Sequence, residues 1–289
     1  MVLVDFILNV AALLLWLNWR SSRFDPLVRT SAASLVGTLK RTEPRPLKGW
    51  LSLVGLVALL ALRALLYWAI GSPAEWTPKL DLGFVVLAFP LSSRNDLVLS
   101  ALVYSGLSFA RVFLVYYFWL LTLAVINRST PESDPIQKLV RLHLGQPGRW
   151  PWPVQLGLPL LLIAGLWMAL HPLLVHLHVI NPVRSQVHLA EQGALVAIGV
   201  LLSLKFLLPV LLLLHLVTSY VYLGSSPLWD FIANTARNLL APLQRLPLRF
   251  AKLDLTPLVG VMLIFLLLHW LPNFVLFQLA QKRLMLWPQ

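Results

Sequence analysis

Six stretches of this 289-residue chain are so long and so apolar that a lipid bilayer is the only solvent that suits them. A helix needs roughly 20 consecutive, mostly apolar residues to cross the hydrocarbon core with its backbone hydrogen bonds closed internally. The stretches that qualify are Val2 to Leu17, Leu51 to Ile70, Leu97 to Ile126, Val154 to Leu177, Ala194 to Tyr222 and Leu255 to Leu279. The first is short, and the third and fifth exceed the usual thickness, which predicts tilt or projection beyond the bilayer. Composition agrees, since 58% of residues are apolar and only 12% charged, far from the balance of a soluble globular chain. Leu80 to Leu91 is apolar too, but it is short and holds Asp81 and Pro90, so it reads as an interfacial segment and not a seventh span. The predicted fold class is all-α, a polytopic membrane protein with six transmembrane helices.

Lys and Arg resist translocation, so their distribution among the loops predicts orientation. Arg20, Arg23, Arg29, Lys40, Arg41, Arg45 and Lys48 lie between the first two spans, and Arg128, Lys138, Arg141 and Arg149 between the third and fourth. Arg237, Arg245, Arg249 and Lys252 separate the last two, whereas the opposite loops hold only Lys79, Arg94 and Arg184. The basic loops are therefore expected in the cytoplasm and both termini outside, which in a bacterial inner membrane means the periplasm. The first apolar run contains Asp5 and is followed by arginines, the reverse of a cleaved signal peptide, so it is expected to stay as a span. Trp16, Trp19, Trp50, Trp150, Trp152 and Trp229 fall at the basic boundaries and Trp68, Trp76, Trp167, Trp270 and Trp287 toward the others, as interfacial indoles should. A net charge of +12 suits nucleic acid, but short loops beside spans explain it through topology and anionic lipid, so no nucleic-acid partner is expected. There is no cysteine, which excludes disulfides and thiolate chemistry.

Each basic loop opens with an acid or serine, then proline, then an aliphatic residue: Asp25-Pro26-Leu27, Asp134-Pro135-Ile136 and Ser226-Pro227-Leu228. Asp25, Asp134 and Ser226 can accept the free amide hydrogens of a first helical turn while proline tolerates the position just inside, so three capped surface helices are predicted. In the third, Leu228, Ile232, Ala236, Leu239 and Leu243 recur at helical spacing, and Asn234, Arg237, Asn238 and Gln244 take other faces. Such an amphipathic helix lies among lipid headgroups or docks another protein. The recurrence divides the chain into three related hairpins, 1–76, 77–184 and 185–289, each enclosing a cytoplasmic amphipathic helix.

Beyond Ala241 come Pro242, Arg245, Pro247 and Arg249, then Asp254, Thr256 and Pro257 at the mouth of the last span. This stretch resembles the YggT family of small bacterial and plastid membrane proteins, in which a proline, a basic run and a second proline precede Asp-hydrophobic-Ser/Thr-Pro at the start of a helix. The match is strongest over 226–268. The earlier units keep only Pro44, Arg45 and Pro46, and Pro147, Arg149, Pro151 and Pro153, without the Asp-x-Thr-Pro element. The resemblance implies roles in the envelope and osmotic-stress response with a suggested part in ion uptake, in cell division or nucleoid organisation, and in plastid cytochrome assembly. Physically, Asp254 or Thr256 can cap a helix whose first turn holds Pro257.

Four charges fall within the spans: Asp5, Arg63, Arg111 and Lys205. A charge at the bilayer centre costs roughly 2.5 to 3.5 kcal/mol on insertion scales and usually faces protein or water. Asp5 pairing with Arg63, Arg111 or Lys205 would lock helices together, and Ala101, Ser105 and Ser108 would permit close approach. A charged ion pathway is the alternative, and its excess of bases would favour anions. His171, His176, His178 and His188 gather near one span end without the spacing of a metal motif, so no metal and no cofactor are expected. No phosphate loop, nucleophile motif or paired carboxylates occur, which argues against an enzyme. The expected function is a structural or assembly factor holding anionic lipid, a membrane-protein partner or a second copy through its basic helices, with an osmotic-stress-related ion transporter or channel as the alternative.

Overall fold

A computed structural model describes residues 2–23, 49–74, 77–89, 97–129, 134–183, 185–221, 224, 226–243, 249–250, 253–254 and 256–281. Asp25, Pro44, Arg45 and Pro46, and further along Arg245 and Pro247, lie outside the described residues. The α-helices are α1 (Val2–Arg23), α2 (Gly49–Ala74), α3 (Leu97–Ile126), α4 (Pro135–Leu144), α5 (Trp152–His176), α6 (Gln186–Leu202), α7 (Leu204–Tyr220), α8 (Pro227–Leu240) and α9 (Thr256–Gln281). Six helical segments are long and apolar enough to cross a membrane, with α6 and α7 together making the fifth. Large apolar side chains such as Leu161, Leu162, Phe206, Met262 and Leu266 stand exposed along them. In water such surface would drive aggregation, and in lipid it is ordinary. The chain is a multi-pass helical membrane protein.

Two departures from the expected helices have local causes. The fifth span starts earlier than Ala194 and is interrupted at Ser203. There the Ser203 hydroxyl donates to the Val200 carbonyl at 2.6 Å and accepts the Trp119 indole N–H at 2.9 Å, and Pro209 removes a further backbone donor six residues on. The fold is also not purely helical. Short strands β1 (Lys79–Asp81) and β2 (Val86–Ala88) form a two-stranded sheet in the segment expected to be interfacial, and β3 (Arg249–Phe250) pairs with β4 (Leu253–Asp254). Alternation explains the first, since Leu80 and Leu87 are buried while their strand neighbours are exposed.

The chain falls into two compact units, one of Met1–Leu80 with Ala88–Phe113 and one of Asp81–Leu87 with Leu114–Gln289. In the first, α1 and α2 pack lengthwise. The Ser105 hydroxyl of α3 donates to the Leu60 carbonyl of α2 at 2.9 Å, and Trp16 meets Phe113 edge to face. In the second, α5 and α6 share the most extensive packing. A Cβ on Gly193 would sit 2.9 Å from the Ala164 carbonyl oxygen, so glycine there sets the approach. The turn between β1 and β2 rests on α6, with Gly83 at φ +98° and its amide donating to Asp81 Oδ1 at 2.7 Å. Helix α7 packs against both α8 and α9.

Candidate functional site

Polar groups inside an apolar helix bundle carry most of the chemical information, and the largest assembly of them lies in the first unit. Asp5 and Asn9 share a face of α1 at i and i+4, as Arg63 and Tyr67 do on α2 and Tyr104 and Ser108 on α3. The three faces converge. Arg63, only 1% exposed, donates from Nη2 to Asp5 Oδ1 at 2.6 Å and to Ser108 Oγ at 2.9 Å, and from Nη1 to Asn9 Oδ1 at 2.8 Å. Asn9 Nδ2 closes the ring by donating to Ser108 Oγ at 3.0 Å. The Tyr67 hydroxyl also donates to Asp5 Oδ1, and that of Tyr104 to Oδ2 at 3.2 Å. The guanidinium lies 5.4 Å and 5.5 Å from the centres of the Tyr67 and Tyr104 rings, within cation–π range. Phe89 covers Tyr104 from the far side, its ring centre 5.3 Å away.

This arrangement neutralises its own charges. One carboxylate meets one guanidinium, and three uncharged hydroxyls and an amide complete the carboxylate and most of the guanidinium donors. A network of this kind holds three helices in one register and leaves little unspent hydrogen-bonding capacity for a substrate. Arg63 Nε alone stays without a partner among the described residues.

A second polar junction sits where α3 ends. Asn127 is 1% exposed and donates from Nδ2 to Thr235 Oγ1 of α8 at 2.7 Å, while its Oδ1 accepts from Asn238 Nδ2 at 3.0 Å. Its backbone carbonyl accepts from Gln137 Nε2 of α4 at 3.2 Å. Leu121, Ala124, Val140, Leu144 and Phe231 form an apolar cluster of the same three helices. Asn127→Ala is expected to cost about 2 kcal/mol, because it leaves the half-buried Asn238 amide without its acceptor and buried Thr235, which still donates to the Phe231 carbonyl, without its donor. Denaturant unfolding in detergent checks this, and an unchanged midpoint would show that water already serves these groups.

The remaining residues singled out from sequence are placed as follows. Asp134 accepts amide hydrogens from Ile136 and Gln137, at 2.9 and 3.3 Å, at the start of α4. Ser226 accepts that of Leu228 at 3.4 Å at the start of α8. The apolar face of α8 is filled by protein: Ala236 and Leu240 pack with Leu212, Val261 and Ile264 of α7 and α9. Of the residues read as its apolar face, Ile232 and Ala236 are buried, Leu239 and Leu243 are partly buried against that cluster, and Leu228 stays exposed. Lys205 is exposed, its Nζ lying 5.1 Å from the Phe206 ring centre, and Arg111 is exposed on α3 and does not join Asp5. Pro242 follows α8, Arg249 and Asp254 are backbone partners across β3 and β4, and Thr256 and Pro257 are the first residues of α9. Asp254 thus belongs to a strand and Thr256 to the helix itself, because the chain turns through a short antiparallel pairing before α9 begins.

Sequence reasoning missed Asn9, Tyr67 and Tyr104 in the first network and Asn127, Gln137, Thr235 and Asn238 in the second. The signal for the former was present: polar residues spaced i and i+4 within apolar spans. Asn127 stood beside Arg128 at a span end and looked like loop. Comparison with known proteins adds nothing to this picture, for no family model, curated protein or solved structure matches the chain.

Proposed function

We propose that this chain is a non-enzymatic structural or assembly factor of a bacterial inner membrane, of YggT type, with both termini periplasmic. It is built from three related hairpins, and its basic amphipathic helices hold anionic lipid or a membrane-protein partner at the cytoplasmic face. The observation that carries this reading is that α4 has two apolar faces. One, with Ile136, Val140 and Leu144, is filled by α3 and α8. The other presents Leu139 at 54% and Leu142 at 39% exposure, with Lys138 beside them, and Trp150 and Trp152 stand exposed shortly after. A ten-residue helix with a second apolar face and a basic flank needs a second apolar medium next to charge, which the headgroup boundary or a partner helix supplies. The pairing of α1 with α2 and of α7 with α9 across basic loops supports the hairpin repeat, while α5 departs from it by packing along α6.

A photoreactive phenylalanine analogue at Leu139, activated in native membranes, tests the reading. A lipid adduct or a single abundant protein adduct is expected, and absence of both would defeat it. Lys138→Gln is expected to lower the phosphatidylglycerol retained through purification about fivefold, the effect of roughly 1 kcal/mol per basic residue near a surface. Native mass spectrometry reads that ratio. Ion transport remains the second reading, supported by the exposed Arg111 within a span.

A further inference from the structure

We infer that residues 81–87 form a re-entrant turn, which enters from the side of the α5–α6 loop, reaches into the bilayer interior and meets water there along an open backbone edge. The inference goes beyond the assembly role and depends neither on it nor on which face of the membrane is outside. Turn and α6 belong to one compact unit. The sequence alone places this segment at the interface, but one contact puts it deeper. A Cβ on Gly199 would lie 2.1 Å from the Leu82 carbonyl oxygen, and one on Gly83 would lie 2.8 Å from the Gly199 Cα, so the turn touches α6 at Gly199.

That contact gives a depth. Helix α6 begins at Gln186, and Gly199 lies roughly 20 Å further along it at 1.5 Å per residue. The neighbouring helix agrees. Gly193 abuts Ala164 of α5, so in this antiparallel pair Gly199 is level with about Leu158, in the half of α5 remote from the α5–α6 loop. Successive spans alternate in direction, which puts the α2–α3 connection that carries the turn on the same side as that loop. The tip therefore lies past the middle of the α5–α6 pair, and the chain returns the way it came.

Backbone at such depth must find its hydrogen bonds in protein or in water, because hydrocarbon offers none. The Leu82 amide donates to the Val85 carbonyl at 2.7 Å, which closes a two-residue turn at Gly83 and Phe84 and sets Asp81 opposite Val86. Hydrogen-bonded and open pairs alternate along an antiparallel ladder, so Asp81 and Val86 point their own N–H and C=O groups outward. Those groups have no partner among the described residues. Both residues are exposed, Val86 by 47%. The Asp81 carboxylate accepts the Gly83 amide and has no ion pair among the described residues. A carboxylate beside two open strand edges suits water and not acyl chains. Val85 and Leu87 are buried, so the turn is seated on protein by one face and wetted along the other. Small hydrophilic ions share that water, and so gain access to the bilayer interior from the side of the α5–α6 loop.

Because the chain has no cysteine, introduced thiols report alone. In native membranes, an impermeant sulfonatoethyl methanethiosulfonate is applied to the side from which Ser185→Cys reacts. Val86→Cys is expected to react about a hundredfold faster than Leu161→Cys, which stands at similar depth, 71% exposed on a lipid-suited flank, where the reactive thiolate does not form. Depth is read separately. Leu82→Cys is expected to form a disulfide with Val196→Cys, one turn from Gly199, and none with His188→Cys near the start of α6. Mass spectrometry after proteolysis identifies the linked peptides. Absence of the disulfide to position 196, or its formation with position 188, returns the turn to the headgroups and overturns the inference. Val86→Cys as slow as Leu161→Cys overturns it as well, and reaction only after detergent extraction does so in favour of a partner strand on the open edge. Should Val86→Cys accumulate poorly, Asp81→Cys meets the same reagent, and an inert thiol there is equally decisive.

Discussion

Arg63→Ala is expected to cost the folded protein roughly 3 to 5 kcal/mol, the usual result of removing one member of a buried ion pair and leaving the other uncompensated. Asp5 would keep its two tyrosine hydroxyls but lose its countercharge, and Asn9 and Ser108 would lose the guanidinium that joins them. Thermal unfolding in detergent, followed by far-ultraviolet dichroism, should show a large fall in midpoint or failure to accumulate. The paired change Asp5→Leu with Arg63→Met separates two roles. If the network only holds α1, α2 and α3 together, removing both charges should restore much of the lost stability, since apolar replacements of buried pairs are often neutral or better. If the double variant stays as unstable as Arg63→Ala, the charges do more than hold helices.

Gly199→Val is expected to cost about 3 kcal/mol, at the upper end of what overpacking does. An added Cβ on Gly199 would lie 2.1 Å from the Leu82 carbonyl oxygen, and that obstacle is backbone, which cannot rotate aside. The turn over residues 81–87 would have to leave α6. Hydrogen exchange is the appropriate measurement, because the Leu82 amide donates to the Val85 carbonyl at 2.7 Å and that of Gly83 to Asp81, bonds that survive only while the turn is held. Faster exchange over 81–87 together with a lowered unfolding midpoint is the expected outcome. Unchanged exchange would mean that the turn does not rest on this helix.

Much of the architecture was legible because the bilayer imposes one dominant rule. Apolar length found every span, and the third was placed at the residues where α3 begins and ends. The misjudged fifth span turned on a single serine, whose hydroxyl donates to a backbone carbonyl while it accepts the Trp119 indole N–H, a tertiary contact that periodicity cannot contain. The strands between α2 and α3 were hidden for a related reason. A short alternating stretch such as Lys79 to Ala88 signals a sheet only when something covers its apolar side.

The site was half legible. Asp5, Arg63 and Arg111 were visible as charges in apolar surroundings, but nothing in the sequence distinguishes an arginine with a partner from one without. That distinction depends on which helix faces meet, and Arg63 met Asp5 while Arg111 did not. The amphipathic pattern of α8 was equally ambiguous, because lipid and a protein neighbour select the same leucines. Its own neighbours α7 and α9 took Leu239, Leu240 and Leu243 and left Leu228 exposed. Helix α4, for which no face was read from the sequence, keeps Leu139 and Leu142 outward.

The proposed function requires the chain to span the bilayer with its basic helices all on one side. Single cysteines at Lys138, Arg237 and Ser185, labelled in intact spheroplasts with a membrane-impermeant maleimide, test that most directly. The cysteine at 185 should react from outside, and those at 138 and 237 only after permeabilisation. Labelling of position 138 or 237 in intact spheroplasts, or protection of position 185, would contradict it.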